Sequence, residues 1–236
     1  MIRRIAIIPA REGSKRIHDK NIRDFCGKPM IAYVLNAAKD SGLFDVIHVS
    51  TDSQRISDVV ENLGFPIDFL RSADLADDYT PIIPVLKDVL KTYISRGVIF
   101  DQVCLLMATS PLVEATDLRG ASELYDRNRG TKPVMCITCY PAPVEWAYRR
   151  RADASLMPLQ PGMFAIRSQD MEAHYYDSGC FSFLPVQYVL NSEGAGNDMD
   201  FIGYILPKYK AVDIDDEEDL ILAEAIYRGF HKTEQN

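Results

Sequence analysis

Short apolar runs alternate with amphipathic stretches along most of the chain. The apolar runs predict strands at residues 5–9, 46–50, 67–70, 103–107, 134–139 and 202–206. Between them, hydrophobic residues recur at intervals of three and four, which indicates helices at about 30–40, 56–63, 85–93 and 118–125. Strands that alternate with helices in this rhythm predict an α/β fold with a mostly parallel sheet covered by helices on both faces.

The rhythm is interrupted between about residues 140 and 204. This stretch is rich in proline, glycine, aromatic and polar residues and has no clear period. We interpret 1–236 as a single domain and 140–204 as an insertion that serves for dimerisation and helps to build a ligand pocket. A long irregular surface loop is the alternative. The α/β pattern resumes at Val212 and ends in a helix at about 216–230.

Composition and charge narrow the class of protein. The 236 residues are 47% hydrophobic and 25% charged, which is typical of a globular protein. The net charge of −8 argues against general nucleic-acid binding, which requires a basic surface. The apolar run at 5–10 is too short for a membrane span or a signal peptide, and five scattered cysteines fit reduced thiols. We therefore expect a cytoplasmic protein without nucleic-acid or membrane partners.

A basic segment at residues 10–21 follows the first predicted strand. It concentrates four cations in an acidic chain: Arg11, Lys15, Arg16 and Lys20. About 18 residues join this strand to the next helix, where a few would suffice. Ligands of open α/β sheets bind at the carboxyl ends of strands, and Gly13 and Ser14 would allow close approach and hydrogen bonding to an anion. The segment predicts a triphosphate-binding loop, although it matches neither a Walker A loop nor a dinucleotide fingerprint. A solvated, charged connection is the alternative.

Two aspartates near the end of the chain suggest a cation site. Asp213 and Asp215 are two residues apart on a predicted strand, so their side chains point the same way. Mg²⁺ is commonly held by one or two carboxylates together with substrate phosphates. Helix capping is an equally good explanation for acidic residues at this position, and Asp216 can cap the helix while the other two bind metal.

These segments together resemble the cytidylyltransferase family that activates sialic acid-type (nonulosonic) sugars. The stretch IIPAREGSKRIHDKNI resembles the family signature A-R-x-G-S-K-x-x-x-x-K-N. Further matching pieces are CGKPMI at 26–31, VSTD at 49–52, LRSADLADDYT at 70–80, TSPL at 109–112 and DIDDEEDL at 213–220. Within the family, RSQD at 167–170 and YYDSG at 175–179 look most like the enzymes that act on pseudaminic acid. The chain departs from the family pattern at His18-Asp19, where Pro-Arg is usual, and at Met107-Ala108, where neuraminate enzymes often have Gln-Pro.

The resemblance implies a Rossmann-like fold, a homodimer and CMP transfer from CTP to the anomeric hydroxyl of a nonulosonic acid, with release of pyrophosphate. It implies catalytic roles for Arg11, Lys15 and Lys20. Substrate-binding roles fall to Gly13, Ser14 and Asn21 at the phosphates, to Arg71 and Thr80 near the cytidine, and to Gln169 and Asp177 at the sugar. Asp213 and Asp215 would hold Mg²⁺.

Three other functions remain open at this point. The first is the related synthetase for N-acetylneuraminic or legionaminic acid. The second is a glycosyltransferase that uses a D-x-D pair with a nucleotide-sugar, which would need no basic loop after the first strand. The third is a nucleotide-binding regulatory protein without catalysis, against which the presence of both the basic loop and the aspartate pair argues.

Overall fold

A six-stranded sheet forms the centre of the computed structural model, which describes residues 2–197 and 200–231. The strands are β1 (Arg4–Pro9), β2 (Asp24–Phe25), β3 (Lys28–Pro29), β4 (Val46–Ser50), β5 (Gln102–Leu106), β6 (Val134–Cys139), β7 (Tyr148–Arg150), β8 (Leu156–Pro158), β9 (Tyr175–Pro185) and β10 (Ile202–Ile205). The helices are α1 (Met30–Ser41), α2 (Gln54–Asn62), α3 (Ile82–Ser95), α4 (Ala115–Arg127), α5 (Val186–Asn191) and α6 (Glu217–His231).

The central sheet has the strand order β10-β6-β9-β5-β1-β4. Its neighbouring strands are parallel except at β9, which runs antiparallel to both β5 and β6. The prediction of a mostly parallel, Rossmann-like sheet flanked by helices is therefore confirmed. The parallel strands β1, β4 and β5 end at the same edge of the sheet, so the loops that follow them meet there.

Alternate residues of β1 face the two helical layers. Ala6 and Ile8 join a buried cluster with residues of α1 and α4, while Ile5 and Ile7 join a second cluster with residues of α3 and α5. All four are completely buried, as expected for a strand in the interior of a parallel sheet. The carboxyl end of β1 is thus fixed by packing on both faces.

A third hydrophobic cluster connects the two ends of the chain. It contains Ile17 of the basic segment together with Val212 and Ile214, which precede α6. Ile17 and Ile214 are completely buried. Burial of these apolar side chains holds the basic segment against the segment that carries the aspartate pair.

The predicted strand at 67–70 is wrong. This apolar segment follows Pro66 and passes beyond the edge strand β4 without pairing with it. Phe69 instead stacks on His48 of β4, with ring centroids 4.5 Å apart. Its hydrophobic character thus reflects packing against a neighbouring ring rather than a place in the sheet.

The prediction of irregular structure throughout 140–204 is wrong over residues 175–185, which form β9 in the middle of the sheet. The pairing of β9 with β6 shifts register between Met135 and Ile137, and Gly179 has a φ of +70°. This irregularity interrupts the alternation that marks a strand. Residues 140–174, which contain the β7–β8 hairpin and short 3₁₀ turns, remain outside the sheet and are called the arm below.

Among the described residues, no helix is both long and apolar enough to cross a lipid bilayer.

Candidate active site

A cavity of about 520 Å³ opens beside the carboxyl ends of β1 and β5. Its size falls within the range of small-ligand pockets. Most of the residues predicted for the site line it: Arg11, Ser14, Lys15, Lys20, Asn21, Arg71, Thr80, Asp213 and Asp215. The two oppositely charged segments predicted from the sequence therefore face one cavity.

Direct ion pairs join the basic segment to the aspartate pair. Lys20 Nζ donates hydrogen bonds of 2.9 Å to Asp215 Oδ1 and to the carbonyl oxygen of Ile214. Arg16 contacts the same Asp215 oxygen at 2.9 Å. Partial burial alone would raise the pKa of Asp215, but the two cations outweigh it and hold that pKa below its usual value. Asp215 is therefore a carboxylate at neutral pH.

Asp213 lies deeper in the same wall of the cavity. Thr109 Oγ1 donates a 2.7 Å hydrogen bond to Asp213 Oδ1. Burial raises the pKa of Asp213, and the nearby charge of Asp215 raises it further. A cation between the two carboxylates would relieve both effects, which fits the predicted metal site. Among the residues described, no group of three or more His, Cys, Asp or Glu side chains is arranged to hold a metal. A site here would depend on substrate phosphates for further ligands.

Gly179 allows the carboxylate of Asp213 to approach the backbone of β9. A Cβ atom at position 179 would lie 2.7 Å from Asp213 Oδ2, and the φ of +70° already disfavours any other residue. Sequence reasoning singled out neither Gly179 nor Thr109 as supports for Asp213. Both belong to family motifs, YYDSG and TSPL, but their contacts with Asp213 form only when the chain folds.

The strand predicted to carry Asp213 and Asp215 is wrong, since residues 211–215 have no regular secondary structure, but helix capping at this position is confirmed. Asp216 Oδ1 accepts hydrogen bonds from the backbone amides of Glu218 and Asp219, at 3.0 Å each. Asp213 and Asp215 face the cavity, whereas Asp216 lies outside its lining. Of the three neighbouring aspartates, Asp216 therefore caps the helix, and Asp213 and Asp215 line the cavity.

The backbone of the basic segment is held by a buried side chain. Asn21 Nδ2 donates a 2.9 Å hydrogen bond to the carbonyl oxygen of Arg11, and Asn21 is 8% exposed. Gly13 does not line the cavity, its φ is not positive, and a Cβ there would meet Arg11 only at an ordinary 3.5 Å. The structure therefore provides no conformational reason for glycine at position 13, and its predicted contact with an anion stays a prediction.

The other two cations of the segment pair with a residue from a different loop. Arg11 contacts Asp78 Oδ1 at 2.6 Å, and Lys15 contacts the other oxygen of the same carboxylate. Hydrogen bonds from Lys15 and Arg11 lower the pKa of Asp78. Asp78 belongs to the motif LRSADLADDYT at residues 70–80, of which the sequence predicts only Arg71 and Thr80 for the site.

Arg71 and Thr80 anchor the loop that carries Asp78. The Arg71 guanidinium donates to the hydroxyl and carbonyl oxygens of Ser50 at the end of β4, and burial lowers its pKa. The amide of Thr80 donates a 2.6 Å hydrogen bond to Asp77 Oδ1. Arg71 is 7% exposed, so it fixes the loop as well as lining the cavity.

The two residues predicted to contact a sugar lie outside this cavity. Asp177 lines a neighbouring cavity of about 480 Å³, and Asp213 belongs to the walls of both cavities. Gln169 is exposed on a 3₁₀ turn of the arm and lines neither cavity. The structure brings Asp177 close to the aspartate pair but does not bring Gln169 there.

Comparison with known proteins identifies the family. The family model described as Cytidylyltransferase matches residues 5–146. A pseudaminic acid cytidylyltransferase of Campylobacter jejuni is 33% identical over 238 residues, which cover 98% of this chain and 99% of that protein. A CMP-N,N'-diacetyllegionaminic acid synthase of Legionella pneumophila is 36% identical over 173 residues, covering 73% of this chain and 71% of that protein.

A solved structure shows the same fold. It is a CMP:2-keto-3-deoxy-manno-octonic acid synthetase complexed with CTP, with a TM-score of 0.71 and 16% identity, covering 97% of this chain and 99% of that one. The family resemblance drawn from the signature at residues 7–22 is confirmed by these matches. From its sequence and its fold, the chain belongs to the cytidylyltransferase family.

Proposed function

We propose that the protein transfers CMP from CTP to the anomeric hydroxyl of a nonulosonic acid, with pseudaminic acid as the favoured sugar. The observation that carries the proposal is the single cavity at which the basic segment and the aspartate pair meet. The match to a pseudaminic acid cytidylyltransferase over nearly the whole chain supports the choice of sugar. The legionaminic acid relative keeps that sugar as the second candidate.

The chemistry requires positioning and charge stabilisation rather than covalent catalysis. The anomeric oxygen attacks the α-phosphorus of CTP, the bond to pyrophosphate breaks in line, and the hydroxyl proton passes to water and from there to the released pyrophosphate. Arg11, Lys15 and Lys20 would neutralise the charge that develops on the phosphates and the leaving pyrophosphate. Ser14 would add a hydroxyl donor, and Asn21 holds the backbone that presents these groups.

Asp213 and Asp215 are the residues that would hold Mg²⁺. The raised pKa of Asp213, caused by burial and by the charge of Asp215, supports the presence of a cation in the working enzyme. When bound, Mg²⁺ would neutralise phosphate charge at the reacting end of the nucleotide. Thr109 and Gly179 orient the Asp213 carboxylate for this purpose.

The remaining assignments concern the positions at which the cytidine and the sugar bind. Arg71 and Thr80 line the cavity on the side of the loop after β4, where we place the cytidine. The neighbouring cavity, which contains Asp177 and shares Asp213, is where we place the sugar. Gln169 of the arm lines neither cavity, and we place it at the sugar of a second subunit.

A homodimer built through the arm would explain the apolar side chains that the arm exposes. Phe164 is 79% exposed and Leu156 is 60% exposed. Apolar surface of this kind marks interaction sites. The five free cysteines fit the cytoplasmic location predicted from the sequence.

The deciding experiment is a pyrophosphate-release assay. Each nucleoside triphosphate is offered with Mg²⁺ and with pseudaminic, legionaminic or N-acetylneuraminic acid. We expect release with CTP and pseudaminic acid, and none with CTP alone. Release with a different sugar would change the substrate. No release under any condition, or transfer from a nucleotide-sugar, would overturn the proposal in favour of a glycosyltransferase or a binding protein.

A further inference from the structure

Asp78 forms ion pairs with Arg11 and Lys15, the two cations that the proposed reaction assigns to the triphosphate. One of its carboxylate oxygens contacts Arg11 at 2.6 Å, and the other contacts Lys15. All three residues line the same cavity. A carboxylate that binds two cations through two oxygens closely resembles a phosphate group that does the same.

The loop does not need Asp78 for its own folding. Arg71 fastens its start to Ser50, and Asp77 accepts hydrogen bonds from the amides of Tyr79 and Thr80. The oxygens of Asp78, in contrast, contact only Arg11 and Lys15 among the residues described. These contacts join two separate loops that both line the cavity.

We propose that Asp78 competes with the triphosphate for Arg11 and Lys15. Asp78 forms ion pairs with these two side chains in the free enzyme and thereby sets the affinity for CTP. This inference rests on the proposed function, because it takes CTP to be the ligand of the cavity. Binding of CTP then requires exchange of two protein ion pairs for two phosphate contacts. The apparent Kd equals the intrinsic Kd divided by the fraction of molecules in which the two cations are free, so engagement by Asp78 weakens the apparent affinity.

The competition has a consequence for specificity. A ligand with a single negative charge gains little by displacing a carboxylate from two cations, whereas a triphosphate brings several charges to them. Asp78 therefore discriminates against monoanions that would otherwise bind to the basic segment. It is a positioning residue, since it acts through Arg11 and Lys15.

The test is calorimetric titration of CTP, with Mg²⁺ and without sugar, into the wild type and D78N. Asp74→Asn is the matched control, because Asp74 lies on the same loop, is exposed and does not line the cavity. We expect D78N to bind CTP about three- to tenfold more tightly, the range expected for release of exposed ion pairs. D74N should bind like the wild type. The advantage of D78N should shrink as salt weakens the pairs in the wild type.

Two outcomes would overturn the inference. Unchanged affinity of D78N would show that the ion pairs do not compete, and weaker binding would show that Asp78 instead holds Arg11 and Lys15 ready for the phosphates. Failure of the proposed function looks different, since the wild type itself would then release no pyrophosphate in the assay above, whatever the effect of D78N on CTP affinity.

Discussion

Lys20 Nζ lies 2.9 Å from Asp215 Oδ1, although 195 residues separate the two in sequence. Ile17 and Ile214, which neighbour the pair in sequence, pack in one buried cluster beneath it. Hydrophobic burial therefore brings opposite charges together at the edge of a cavity. A ligand that carries both phosphates and a divalent cation can satisfy each partner separately, with phosphates on Lys20 and the cation on Asp215.

This exchange predicts that Mg²⁺ and CTP bind together. Without nucleotide, Asp215 is engaged by Lys20 and Arg16, so a metal ion would have to displace two cations. We expect calorimetry to show weak Mg²⁺ binding to the free protein and at least about tenfold tighter binding when CTP is present, a typical coupling between sites. By linkage, Mg²⁺ must tighten CTP binding by the same factor. Equal Mg²⁺ affinity with and without CTP would contradict the placement of phosphates on Lys20 and of the metal on Asp215.

Asp213→Asn should separate activity from stability. The substitution removes a buried carboxylate whose pKa is raised, together with its repulsion from Asp215, so the melting temperature should hold or rise. Turnover should fall by about 10²-fold or more, because a group that stabilises charge at the reacting end is lost. Steady-state pyrophosphate release and differential scanning fluorimetry measure the two effects.

Asp216→Asn is the control for that variant. It removes a negative charge three residues away, from a helix cap outside the cavity, and asparagine caps helices as well as aspartate. Activity should be close to that of the wild type. If D213N keeps activity within threefold of wild type, the metal assignment is wrong.

Lys15→Ala should lower the rate without affecting the fold. The Lys15 side chain is 79% exposed and makes a surface ion pair, which contributes little to stability. If Lys15 stabilises charge on the phosphates, its loss should raise the barrier by about 2–4 kcal/mol. Lys91→Ala, on an exposed position of α3 outside the cavity, is the control. A change in melting temperature with normal turnover would make Lys15 a structural residue.

Gly179→Ala should impair the site beyond its effect on the backbone. Alanine at a φ of +70° costs about 1–2 kcal/mol of stability. Its Cβ would also displace the Asp213 carboxylate, and a misplaced group at a reacting centre costs about 10²-fold in rate. Gly42→Ala is matched, because Gly42 has a φ of +66° and no atom within 4 Å of an added Cβ. Both variants should lose similar stability, and only G179A should lose turnover; equal turnover would mean that Asp213 adjusts freely.

The sequence predicted which residues line the cavity better than it predicted the strands of the sheet. Arg11, Lys15 and Lys20 could be placed at the cavity because an unusual run of cations follows a predicted strand, and ligands bind at such strand ends. The aspartate pair was found from its two-residue spacing, although residues 211–215 do not form the strand predicted there. The strand at Val46–Ser50 was predicted from its mostly apolar run, in which Val46, Ile47 and Val49 are β-branched. In these cases the local pattern of charged and apolar residues, together with the order of strands and helices, was enough to predict the position.

What the sequence missed depends on contacts between distant segments. The register of β9 is irregular near Gly179, so its alternation is hidden, although the strand lies at the centre of the sheet. Asp78 looked like one acidic residue among several, and only the folded chain places it against Arg11 and Lys15. No spacing rule identifies such a partner, because its position depends on the path of a loop that lacks periodicity.

His48 should make the stability of the protein depend on pH. It is 1% exposed on β4, stacked on Phe69 and 3.3 Å from the hydroxyl of Tyr93. Burial is the main cause that lowers its pKa, to about 4, and Arg71 and Arg96 lower it further against the opposing charge of Asp68. In the unfolded chain a histidine has a pKa near 6.5, so between these values the unfolded state binds a proton that the folded state does not.

Stability contributed by neutral His48 is therefore complete above about pH 6.5 and declines as the pH falls towards 4. The loss over that interval should approach about 3 kcal/mol, since each unit of pKa difference corresponds to 1.36 kcal/mol. Urea unfolding at several pH values measures the slope, which should flatten in His48→Phe because phenylalanine keeps the stacking and cannot titrate. His18→Gln, at an exposed position, is the control for removing a titratable ring as such. If the free energy of unfolding depends on pH equally in the wild type and in H48F, His48 takes up its proton without unfolding β4.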